Sequence, residues 1–75
     1  FNPETIINYK IPYQEHMIIS IFNVNGQQIE VILDENKLPG RHSVRWDASD
    51  QPAGFYFARL QFDDEVLSSK MISIK

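Results

Sequence analysis

Apolar side chains recur at every second position through most of this chain, and clusters of glycine, proline, asparagine and aspartate interrupt them at short intervals. A period of two sends successive side chains to opposite faces of a strand, whereas a helix needs a period near 3.6. Residues 5–11 read as a first strand, with Ile6, Asn8 and Lys10 on one face and Ile7, Tyr9 and Ile11 on the other. Pro12 lacks an N–H and ends it. Residues 15–23 read as a second strand, with Met17, Ile19 and Ile21 inward, Ser20 outward, and Phe22 outward beneath a neighbouring edge or loop. Asn25-Gly26 tolerates positive φ at both central positions of a type I′ turn, so a third strand over residues 27–33 should return antiparallel. Residues 34–40 are polar and hold Pro39-Gly40, which predicts a loop.

Arg41 to Trp46 alternates again, with His42, Val44 and Trp46 on one side, and residues 47–53 form a second turn-rich loop. Residues 55–62 make a fifth strand, with Tyr56, Ala58 and Leu60 opposite Phe55, Phe57 and Arg59. Asp63-Asp64 turns the chain into a sixth strand over residues 66–74. No segment has a helical period with caps. The expected fold is all-β: a small antiparallel immunoglobulin-like β-sandwich of six to seven strands, with an open barrel as the alternative. Its core should include Ile19, Ile21, Val44, Trp46, Tyr56 and Leu60.

Size and charge narrow the function. Seventy-five residues make one domain, 1–75, with residues 1–4 as a possible linker end. So short a chain buries only about 60% of its unfolded surface, and without cysteine no disulfide or thiolate metal site supplements its core. A net charge of −3 and a pI near 5.1 argue against a nucleic-acid surface. Apolar runs never approach membrane-spanning length. Phe1-Asn2-Pro3 is neither a signal peptide nor a chain start with methionine, so the segment is expected to come from the end of a longer protein.

Candidate chemistry is sparse. His16 and His42 lack a third ligand at a zinc spacing, and His42 is expected to be half-buried and hydrogen-bonded. Asp47 and Asp50 supply too few oxygens for calcium, and an Asx-turn explains Asp47 better. Asp63-Asp64-Glu65 reads as a solvated hairpin tip. The serines include no Gly-x-Ser-x-Gly elbow, and the glycines, at 26, 40 and 54, make no phosphate loop. No catalysis, cofactor or metal is expected. Trp46, Phe55, Tyr56, Phe57 and Phe62 offer a sugar platform as an alternative, against the simpler expectation that Trp46 and Tyr56 fill the core. Both faces of the fifth strand cannot share one core, so some aromatic surface needs a cover.

The last twenty-two residues carry the functional signal. Pro52-Ala53-Gly54-Phe55-Tyr56-Phe57-Ala58-Arg59-Leu60 and Lys70-Met71-Ile72-Ser73-Ile74-Lys75 read as a β-hairpin that ends on a strand and a lysine. Such a strand offers unpaired backbone groups to which a partner can add. Lys70 and Lys75 would mark it for an acidic receptor groove, or simply discourage edge-to-edge aggregation.

Taken in order, Phe1-Asn2-Pro3-Glu4-Thr5, Asn23-Val24-Asn25-Gly26, Leu38-Pro39-Gly40 through Val44-Arg45-Trp46-Asp47, Pro52-Ala53-Gly54-Phe55-Tyr56 and the final Lys70-Met71 motif resemble the type A C-terminal sorting domain of the type IX secretion system of the Bacteroidetes. The chain also resembles the immunoglobulin-like domain of flagellar hook-capping proteins, which normally lacks the Lys-Met-x-x-x-Lys finish. The resemblance implies a sorting signal behind an N-terminal cargo. It implies folding in the periplasm, reading by the outer-membrane translocon, and then release or attachment at the cell surface by a sortase. By position it implies recognition through Gly54, Tyr56, Lys70, Met71, Ile72, Ile74 and Lys75, and structural turns at Asn25, Gly26 and Gly40. The rivals are a carbohydrate-binding module and a passive spacer beside a secreted enzyme.

Overall fold

The computed structural model describes residues 4–62 and 65–74. Their alternation becomes six strands: β1 (Glu4–Ile11), β2 (Glu15–Phe22), β3 (Gln28–Lys37), β4 (Gly40–Asp47), β5 (Gly54–Phe62) and β6 (Glu65–Ile74). All pairings are antiparallel: β1 with β4 in one sheet, and β3-β2-β5-β6 in the other. The two sheets form the expected small immunoglobulin-like sandwich. It is not a barrel, because among the described residues β1 and β6 share no backbone ladder. The turn expected at Asp63-Asp64 lies outside the described residues.

The inward positions of both sheets meet in one core. Met17, Ile19, Ile21, Tyr56, Ala58, Leu60 and Phe62 come from the larger sheet, and Ile7, Tyr9, Ile11 and Trp46 from the smaller. Val44 packs against this cluster half-buried. Each fully buried Ile or Leu contributes about 1.5–3 kcal/mol relative to exposure. Trp46 is the largest side chain buried completely. Its ring meets Tyr56 edge-on, with centroids 5.2 Å apart, and its indole N–H donates to Glu30 Oε1 at 3.1 Å. That bond satisfies a donor which burial would otherwise leave costly.

Three local expectations are corrected. The loop foreseen at residues 34–40 is mostly strand: Asp34 to Lys37 pair with Ile18 to Glu15, and only Leu38-Pro39 separates β3 from β4. Polarity there marks a solvated edge strand, where charges discourage further pairing, not a loop. The Asn25-Gly26 turn is not a two-residue type I′ turn. Gly26 N–H donates to the Asn23 carbonyl, and Asn23 N–H to the Gln27 carbonyl, both at 3.0 Å. Val24 and Asn25 are therefore the central residues, and Gly26 follows at φ 83° in a three-residue loop. An added Cβ would meet nothing within 4 Å, so glycine is needed for conformation alone. The Asn23 side-chain oxygen accepts the N–H groups of Asn25 and Gln27, both at 3.0 Å. Third, Ser20 is outward yet buried, because β2 is central and lies between Val31 and Arg59. Phe22, two residues on, is half-buried, and the Arg59 guanidinium of the neighbouring β5 lies 4.4 Å above its ring.

Candidate recognition surface

The two C-terminal motifs come together in one ladder. In the β5–β6 register Gly54 faces Ile74, Tyr56 faces Ile72, Phe57 faces Met71 and Ala58 faces Lys70. Gly54 opens β5 at φ 149°, which L side chains rarely adopt, with no crowding at its Cβ position. The Tyr56 hydroxyl reaches back four residues and donates to the Pro52 carbonyl at 2.5 Å. This bond ties the incoming loop to the start of the strand, as a tyrosine corner does in immunoglobulin-like sandwiches.

Alternation splits the second motif between two faces. Ile72 and Ile74 are buried with Tyr56. Met71 points outward, 68% exposed, and lies opposite the exposed Phe57, with Phe55 also exposed nearby on β5. Lys70 shares the inward parity of Ile72 and Ile74 but stands at the open side of the sandwich. Its Nζ crosses to β1 and donates to the Asn8 carbonyl at 2.5 Å. Asn25 and Gly26 sit in the β2–β3 loop beside this ladder: Asn25 lines a hollow with Gly54, Phe55 and Tyr56, and Gly26 one with Phe57, Arg59 and Ser69. Gly40 opens β4 opposite Ile11. Lys75 lies outside the described residues.

The chain matches a family model described as "Secretion system C-terminal sorting domain" over residues 2–75. It belongs to that family. No curated protein and no solved structure matches it. The sorting domain is thus a C-terminal signal for type IX secretion, and it implies an N-terminal cargo, the type IX machinery as partner, and export to the cell surface or medium.

Several other polar groups of the sorting domain serve its own loops and edges, while the buried Tyr9 hydroxyl and Arg59 Nε have no hydrogen-bond partner among the described residues. Asp47 Oδ1 accepts the Ser49 N–H at 2.9 Å, an Asx-turn. That backbone bond, helped by the Ser49 side chain, holds the Asp47 carboxyl below its ordinary pKa. His42 is half-buried, stacks on Tyr9 and donates from Nε2 to the Leu38 carbonyl at 2.6 Å. His16 faces Asp34 and Asn36 with its two ring nitrogens. Among the described residues no three His, Asp or Glu side chains are grouped to hold a metal, and no helix is long and apolar enough to cross a membrane.

Sequence reasoning missed the β1 partner of Lys70. The parity of Lys70 with Ile72 and Ile74 could have shown that it points inward. Nothing local could have shown that Asn8, 62 residues away, stands opposite it. The juxtaposition of Lys10 and Arg41 across the β1–β4 ladder was hidden for the same reason.

Proposed function

We propose that the β5–β6 hairpin is the part of the domain that the export machinery reads, and that its residues divide the work. Tyr56, Ile72 and Ile74 set the hairpin on the core, and Gly54 supplies the backbone turn that starts it. Met71 and Lys70 are available for contact, with Phe55 and Phe57 beside them, and Lys75 adds a second cation to the motif in the sequence. The observation that carries this reading is the register in which Gly54 faces Ile74 and Tyr56 faces Ile72. It makes two separated sequence motifs one surface. In this reading the domain folds in the periplasm, engages the outer-membrane translocon, and delivers its cargo to the surface or the medium, where a sortase removes it from anchored cargo.

A sugar-binding reading has less to draw on. Trp46 and Tyr56 are in the core, which leaves Phe55 and Phe57, rings without a polar handle, as the exposed platform on β5. The deciding test fuses the chain behind a periplasmic reporter in a host with type IX machinery. Deleting residues 70–75 should hold the reporter in the periplasm. Unchanged export after the deletion refutes the hairpin as the recognised element.

A further inference from the structure

On one side of the sandwich two strand edges face each other unpaired. Among the described residues the backbone of β6 pairs with β5 alone, and that of β1 with β4 alone. A groove of ≈ 320 Å³ runs between them, walled by residues 5–8 and 70–73. An adjoining cavity of ≈ 560 Å³ shares Asn8 and Lys70 with it and continues past Lys10 and Arg41.

Each edge is a row of backbone donors and acceptors, the template on which an added strand builds. Lys70 takes the Asn8 carbonyl from the gap side. A residue's N–H and C=O leave an antiparallel strand on the same edge, so the Asn8 N–H faces the gap too. Alternation places the Ile6 and Lys10 amides with it.

Charge selects the occupant. Lys10 and Arg41 are directly opposite in the β1–β4 register, and like charges so placed destabilise a sheet. Neither has a carboxylate partner among the described residues. With Lys70 they gather three cations around one gap in a chain whose net charge is −3.

We infer that this gap is a strand-insertion site. An extended segment rich in aspartate or glutamate enters between β1 and β6, displaces Lys70 from Asn8, and hydrogen-bonds to both edges. Its carboxylates meet Lys70, Lys10 and Arg41. That the segment belongs to the export machinery rests on the sorting reading above; the insertion itself does not.

The test compares Asn8→Pro with Asn8→Ala in the reporter fusion. Proline removes a donor that faces the gap and leaves the β1–β4 ladder its own bonds, as edge strands permit. Alanine keeps the donor and removes only the side chain. Export of Asn8→Ala sets the reference for loss of the side chain alone. Export of Asn8→Pro should fall about tenfold, the worth of one or two lost hydrogen bonds. Lys10→Glu with Arg41→Glu should fall at least as far. Circular dichroism of each purified chain reports folding. A folded Asn8→Pro chain exported like Asn8→Ala overturns insertion, and a loss confined to the charge reversal would then mark an anion-binding face instead. If Asn8→Pro does not fold, unchanged export of the charge-reversed chain overturns the proposal. A reporter that stays inside even with the unmodified chain refutes sorting, not insertion. Insertion is read separately on the purified chain. A ten-residue peptide alternating glutamate and valine should slow amide exchange at Ile6, Asn8 and Lys10, and a lysine–valine counterpart should not. Equal exchange with both peptides overturns it.

Discussion

The two sides of the sandwich are closed by different means. Where β3 meets β4, the chain itself joins the sheets through Leu38-Pro39, and the Trp46 indole N–H reaches across to Glu30. His16 contacts Asp34 and Asn36, and Lys37 Nζ lies 2.6 Å from Glu35 Oε1, so side-chain bonds finish that rim. Where β6 meets β1, no tight loop links the two strands to each other and their backbones do not pair, although residues 12–14 tie β1 to β2; Lys70 crosses the gap to Asn8. A side held by covalent connection and a buried ring opens only when the domain unfolds. A side bridged at the surface by a lysine, above the buried Ile7 and Ile72, has no direct chain link to hold it shut. The motif residues Lys70, Met71, Ile72 and Ile74 are all on the second side.

The largest effect should come from the closed side. Trp46→Ala removes a fully buried ring that contacts Tyr56 and orients Glu30. The expected loss is about 3–5 kcal/mol, measured by urea denaturation. For a domain of this size such a loss is a large part of the total stability, since small domains hold about 5–15 kcal/mol at most. A loss below about 1 kcal/mol would mean that the indole is not buried. The asymmetry between the two sides would then disappear, and a tryptophan would be free for stacking on a sugar.

On the open side, Lys70→Met keeps the aliphatic stem and removes the ammonium that reaches Asn8. Solvent competes for both partners, so the expected destabilisation is at most about 1 kcal/mol in the same denaturation experiment. Export of a fused reporter should fall much further than stability does. A loss comparable to that of Trp46→Ala would show that Lys70 is a structural strut. Both sides would then be closed, and the gap would be no place for a partner.

The difference between the sides also separates what could be read in the sequence from what could not. Tyr56, Ala58 and Leu60 announced their inward face through alternation within a single strand, because burial on one side of a sheet is written at a period of two. Asp34 to Lys37 read as a loop because a polar run marks both an irregular segment and an edge strand, and an edge strand is where a sheet tolerates charge. Asn25-Gly26 marked the turn but left its length open, since glycine at positive φ serves a two-residue and a three-residue loop equally. Asn8 against Lys70 and Lys10 against Arg41 depend on which strands are neighbours across the fold. That is a property of topology, and one chain's local pattern does not encode it.

The smallest expected effect tests how the rim of the closed side is finished. Both ring nitrogens of His16 face oxygen acceptors, Asp34 Oδ1 and Asn36 Oδ1, and the imidazolium form satisfies both by donating twice. The bond to Asp34 first, and that to Asn36 second, raise the His16 pKa above its ordinary value near 6.5. A group whose folded pKa is raised stabilises the fold fully below its unfolded pKa, and that contribution disappears as pH rises through the folded pKa. Stability should therefore decline slightly as pH climbs from below 6.5 through the titration of His16. His16 is well exposed, so the decline is small and is best followed at the ring protons by NMR. Their midpoint should lie above 6.5 and return toward it in Asp34→Asn. A midpoint at or below the ordinary value would show that Asp34 does not hold the ring. The outer half of β3 would then be paired through its backbone alone, and the two sides of the sandwich would differ in their connection but not in their side-chain rims.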